Sequence, residues 1–189
     1  MKFTFALLAV FVSAAAATPI SMETRQNVCS ALNTCPLQCY GPMSIIFPDS
    51  NLNTRWDLFG NPVGPVKHND LGWFVKDKPT SNELFTAIVG AQPKLYTFQS
   101  QDGLDVGVSG GTSGAHFFAA TSTATLNVTC SACNAIIYSS QIVAEGCTME
   151  LTDGTNGLGQ CISFTAANGP VQVEPCDGSA SQQFSIGTA

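Results

Sequence analysis

The sequence predicts an all-β fold of many short strands, and three observations carry that expectation. Apolar and polar residues alternate over short windows, as in Val171-Gln172-Val173-Glu174, which is the period of a strand with one buried face. Glycine and proline, 17 and 10 residues respectively, interrupt the chain at short intervals and keep each element to a few residues. No stretch sustains the periodicity of an amphipathic helix beyond two turns.

From the N-terminus, Lys2 is followed by the apolar run Phe3 to Val12, then Ser13 and four alanines. This is the pattern of a secretory signal peptide over residues 1–17, cleaved after Ala17. It is too short to span a bilayer. A second processing site falls after Arg25, in Glu-Thr-Arg-Gln. Residues 18–43 carry Cys29, Cys35 and Cys39 with little periodicity, and read as a disulfide-tied N-terminal arm. Residues 44–189 then form one domain with a core of its own.

The net charge of −6 argues against nucleic acid and anionic membrane as partners, both of which reward clustered Lys and Arg. Removing the leader takes Lys2 with it and makes the balance more acidic still. All eight cysteines follow the leader, and an even number in an oxidising compartment predicts four disulfides. Cys130 and Cys133 form a C-x-x-C without a second pair at zinc spacing, so they too read as disulfide partners rather than metal ligands. Asn127-Val128-Thr129 is an N-glycosylation sequon.

The C-terminal stretch holds the most specific pattern. Cys161 opens a short strand (Cys161-Ile162-Ser163-Phe164), Gly169 makes a turn, Val171 to Cys176 alternates and closes on Pro-Cys, and Gln182-Gln183-Phe184 forms a Q-x-aromatic anchor. In that order these parts resemble one repeat of a ricin-B-type β-trefoil lectin, set in what looks like a small cysteine-rich protein secreted by a fungus. The resemblance implies a disulfide between Cys161 and Cys176, which the hairpin itself can bring together. A loop of that size contributes about 3 kcal/mol by the chain-entropy estimate.

A trefoil needs three copies, because one copy cannot bury its own apolar face. Ser81-Asn82-Glu83-Leu84-Phe85 stands for Ala180-Ser181-Gln182-Gln183-Phe184 in a first copy over residues 45–89, with Arg55-Trp56-Asp57-Leu58 as its first strand and Gly72-Trp73-Phe74-Val75 as its second. The middle copy runs from Gly103-Leu104-Asp105-Val106-Gly107-Val108 through a Gly/Ser turn to Ala115-His116-Phe117-Phe118, and lacks the Q-x-aromatic anchor. On this alignment Asp57, Asp105 and Ser163 are equivalent. The longer interval before Ser163 assigns an insertion to the residues around Cys130 to Cys147. The fold expected is thus a β-trefoil of three degenerate repeats behind the disulfide-tied arm, with a disulfide-tied β-sandwich as the alternative.

The resemblance also implies where a sugar would sit: an Asp ending the first strand, an aromatic platform on the second, and polar groups near the anchor. A carboxylate accepts two hydroxyl hydrogen bonds while a ring packs on the C–H face of a pyranose. The last copy has Ser163, Glu174 and Ser181 at these places and should bind little. The middle copy is the better furnished, with Asp105, His116 and Phe118, and is the expected sugar site. The first has Asp57 and Asn82, with Val75 at the nominal platform and Trp73 beside it. No catalytic motif accompanies them, His68 falls in a polar turn, and neither cofactor nor metal is expected. The expectation is a secreted, non-catalytic carbohydrate-binding protein whose partners are extracellular glycans or glycoproteins, cell-wall polysaccharide among them. Trefoils also carry protein-binding effectors and protease inhibitors, for which the Cys130 to Cys147 loop is the candidate surface.

The sequon supplies a first test. Enzymatic removal of N-glycans should lower the mass of the secreted protein, and Asn127→Gln should abolish the difference; an unchanged mass would show the site to be unoccupied.

Overall fold

A computed structural model describes residues 42–48, 53–59, 70–75, 81–101, 103–108, 117–120, 123–133 and 142–188. The expected signal peptide, the arm up to residue 41, His68 and His116 lie outside the described residues. Among the described residues thirteen strands form one antiparallel system. They are β1 (Met43–Pro48), β2 (Asn53–Leu58), β3 (Leu71–Val75), β4 (Phe85–Val89), β5 (Leu95–Ser100), β6 (Asp105–Val108) and β7 (Phe117–Ala120). Then follow β8 (Thr125–Thr129), β9 (Ala132–Cys133), β10 (Ile142–Thr152), β11 (Gly157–Ser163), β12 (Gln172–Pro175) and β13 (Phe184–Thr188).

Six strands pair in a ring, β1 with β4, β4 with β5, β5 with β8, β8 with β10, β10 with β13, and β13 with β1. The remaining long strands make three hairpins, β2–β3, β6–β7 and β11–β12. Each hairpin hangs from the first barrel strand of its copy, β1, β5 or β10. One four-strand pattern is therefore drawn three times around an axis, which is the β-trefoil. The ring leaves no open barrel edge, and this excludes the sandwich. Only β9 falls outside the pattern: it pairs with β10 inside the expected insertion.

Register identifies equivalent positions without reference to residue type. Met43 faces Phe85, Tyr96 faces Leu126 and Cys147 faces Phe184, each between the first and last barrel strands of one copy. All six side chains are buried and form one core layer, one residue per barrel strand. The hairpins add a second layer through the buried residues Trp56 and Trp73, Val106, and Ile162 and Val173. The first copy is the bulky one. Trp73 stacks on Phe184 with ring centroids 5.2 Å apart and planes at 19°, while Trp56 meets Phe85 and Phe98 edge-on at 5.7 and 5.8 Å. Large rings on one side stand against the smaller Val106, Ile162 and Val173 on the others.

The first and third hairpins are also joined through backbone. Trp73 N donates to Gly169 O (2.8 Å), Asn168 N to Trp73 O (2.7 Å) and Val171 N to Leu71 O (2.9 Å). Gly72 lies at this crossing, where a Cβ would run into the Phe59 ring and crowd Gly169 O. Two disulfides are described in full. Cys161–Cys176 ties β11 to the end of β12 as expected, and Cys130–Cys147 clamps the base of the insertion. Cys133 is disulfide-bonded as well.

Phe184 closes both layers, so Phe184→Ala should lower unfolding free energy by about 3–5 kcal/mol, the usual cost of emptying a buried aromatic site. Denaturant titration with the disulfides intact measures this. A change below about 1 kcal/mol would mean that the two layers do not depend on one another.

Candidate functional site

The anchor loops hold the hairpins against the barrel. In the third copy a single 3-10 turn (Ala180–Gln182) presents Gln182 inward. Its Oε1 accepts the N–H groups of Asp177 (2.9 Å) and Gly178 (3.3 Å), and its Nε2 donates to Pro175 O (2.9 Å). One buried amide thus uses both of its ends to hold the loop that follows β12. Asp177 in turn accepts Ser179 N at 2.8 Å. In the first copy the matching 3-10 turn is Ser81–Glu83, with Glu83 in Gln182's place and likewise buried. A carboxylate there calls for a cation, and Arg55 is beside it: burial pulls the guanidinium below its ordinary value and the Glu83 charge works against that shift. The middle copy has Ala124 at this position, two residues before Leu126, and so no anchor side chain.

Register also places the hairpin faces. Ile46, Gln99 and Glu150 each stand three residues past the core-layer residues Met43, Tyr96 and Cys147, and they face Arg55, Asp105 and Cys161. Asp105 is therefore the counterpart of Arg55 and Cys161. The counterpart of Asp57 and Ser163 is Gly107. This corrects the alignment read from sequence by two residues. Its cause is the connection from Gln99 to Asp105, shorter than that from Ile46 to Arg55 or Glu150 to Cys161, so that the Asp arrives earlier on its strand.

Across the hairpins, Asp57 faces Gly72, Gly107 faces Phe118 and Ser163 faces Gln172. Two residues further on, the platform positions are Phe74, Ala120 and Glu174. In the first copy the platform is thus Phe74 rather than Val75 or Trp73.

The candidate residues fall out unequally. Trp73 is corrected outright: it is completely buried against Phe184 and has no ring face for a ligand. Asp105 is partly exposed, and its Oδ1 accepts a hydrogen bond from Gln99 Nε2 at 3.1 Å. Phe118 lies diagonally across from it, at the Gln172 position instead of the platform. In the third copy Ser163 Oγ donates to Glu174 Oε2 (3.1 Å), so the two groups satisfy each other in a face without an aromatic ring.

Among the described residues, the first copy combines the three residue types. Asp57 and Phe74 are diagonal neighbours on the hairpin face turned away from the Trp56–Trp73 pair, with backbones roughly 7–8 Å apart. Asp57 is 7% exposed. Phe74 is half-buried, with Phe59 edge-on at 5.6 Å to set its tilt. Asn82 is exposed on the 3-10 turn. The sequence held the signal for Phe74: once Trp73 is assigned to the core, alternation sends its neighbour outward. Among the described residues no group of three or more His, Cys, Asp or Glu is placed to hold a metal ion, and no helix is long and apolar enough to cross a membrane.

No protein-family model matches the sequence, and no curated protein matches it. Solved structures do match in shape. The Macrolepiota procera ricin B-like lectin, solved in complex with lactose, superposes with a TM-score of 0.57 at 13% identity, covering 79% of this chain and 96% of that one. The Rhizoctonia solani agglutinin gives 0.57 at 12% identity over 79% and 96%. ThreeFoil, a designed threefold-symmetric protein, gives 0.54 at 10% identity over 79% and 99%. The fold they share with this chain is the β-trefoil. At such identities the likeness concerns the fold.

The anchor loop has a pH signature. The backbone N–H of Ser179, then its hydroxyl, hold the Asp177 carboxyl below the usual carboxylate range. A depressed folded-state value stabilises the loop fully above the ordinary Asp pKa near ~3.9 and loses that contribution as pH falls through the lower folded value. An NMR titration should place the Asp177 midpoint below that of an exposed Asp in a peptide. An ordinary midpoint would mean that the Ser179 contacts do not persist in solution.

Proposed function

We propose that this is a secreted, non-catalytic carbohydrate-binding protein that takes a glycan on the first hairpin, at Asp57, Phe74 and Asn82. The observation that carries the reading is the register that sets a carboxylate and a partly exposed ring diagonally on one hairpin face. A pyranose with its C–H face on Phe74 directs neighbouring hydroxyls towards Asp57, which accepts hydrogen bonds, and towards Asn82, which both accepts and donates. The solved lectin of the same fold holding lactose supports this chemistry on such a scaffold. The disulfides fit an extracellular setting, where the ligands are glycans of glycoproteins or cell-wall polysaccharide.

A glycan array, with retention on insoluble chitin, glucan and mannan, is the measurement. Phe74→Ala should reduce retention about tenfold or more, the equivalent of ~1.4 kcal/mol, and Asp105→Ala should leave it unchanged. The reverse result would move the site to the middle copy. Retention indifferent to both changes, together with inhibition of a secreted protease that free sugars do not relieve, would replace this reading with a protein contact at the Cys130–Cys147 insertion.

A further inference from the structure

We propose that Cys133 is joined to a cysteine of the arm, Cys29, Cys35 or Cys39, so that the arm is stapled across the seam where the two ends of the barrel meet. Four cysteines are committed to each other, Cys130 with Cys147 and Cys161 with Cys176. Cys133 is bonded too, and the only cysteines left in the chain are those three.

Register shows that the reach is short. Cys133 on β9 faces Ala144 on β10, Ala144 faces Ile186 on β13, and Ile186 faces Ile45 on β1. These four residues form one row across the sheet, so Cys133 is three strand spacings from Ile45, roughly 14–15 Å. The chain from Ile45 back to Cys39 extends to about 20 Å, and the other two cysteines reach further. A bond from β9 to the segment leading into β1 therefore bridges β10 and β13 and locks the β13–β1 pairing, the last seam of the ring. The other two arm cysteines complete the even count from which four disulfides are expected. Each bond forms from two thiols, whose two electrons and two protons pass to a disulfide oxidant of the secretory compartment by thiol–disulfide exchange. Cleavage after Arg25 lies before all three arm cysteines, so processing there leaves the staple in place.

The positions of Lys and Arg make the test direct. No Lys or Arg follows Lys94, so tryptic cleavage puts Cys130, Cys133, Cys147, Cys161 and Cys176 in one peptide, 95–189, and Cys29, Cys35 and Cys39 in another, 26–55. The secreted protein is alkylated, denatured and digested without reductant, and the peptides are weighed. The expected result is a single species containing both peptides, separating only on reduction, with fragmentation locating the link at Cys133. In Cys133→Ser the two peptides should come apart without reductant, while 95–189 keeps its two internal disulfides. Separate peptides from the unmodified protein, an alkylated Cys133, a link through a different cysteine, or a species with two copies of 95–189 would each overturn the proposal.

Discussion

The closed ring of six barrel strands is the constraint on which the rest depends. Closure turns six inward positions, Met43, Phe85, Tyr96, Leu126, Cys147 and Phe184, into a single layer around one axis. Any strand out of register by one residue would send its member of the layer to solvent and a polar neighbour inward. That penalty holds the three copies equivalent although their sequences share little. It is also why the copies are better compared by pairing partner than by residue type.

Within that frame the copies solve the same problems by different chemistry. The third copy closes its hairpin with a disulfide and its anchor loop with a neutral amide that satisfies three backbone groups. The first copy places Arg55 where the third has Cys161 and Glu83 where it has Gln182, so a charged pair stands in for a covalent bond and an amide. A buried charge needs its partner, and removing either member leaves the other uncompensated. The middle copy has neither device and relies on packing around Val106 and Leu126. The bulk of Trp56 and Trp73 offsets the smaller residues of the other two hairpins, which ties the first copy to the core most strongly. It is this copy that carries the best-furnished outward face.

Much was legible in the chain itself. Alternation and turn residues showed an all-β protein. The Cys161 to Phe184 pattern located a complete repeat with its disulfide, and the match of Asn82-Glu83-Leu84-Phe85 to Ser181-Gln182-Gln183-Phe184 located a second anchor, confirmed by two 3-10 turns at corresponding places. The surplus before Ser163 showed an insertion, where β9 and the Cys130–Cys147 clamp are found. These features are local: each is set by neighbours a few residues apart, and local periodicity survives in a single sequence.

What the chain determined by itself, then, was the class of structure, the number of copies and the order of their parts. The tertiary structure alone decided which residues stand opposite one another, and with them the face that a ligand could meet. Asp105 matched Asp57 by type yet sits at the place of Arg55, because a shortened turn shifts its strand, and turn length is invisible to an alignment made on residue identity. Trp73 and Phe74 differ by one position and by the whole thickness of a strand, one against Phe184 in the core and the other outward. Side chains alternate with a period of two, so an error of a single residue exchanges core for surface, and only the pairing of strands distant in sequence removes it.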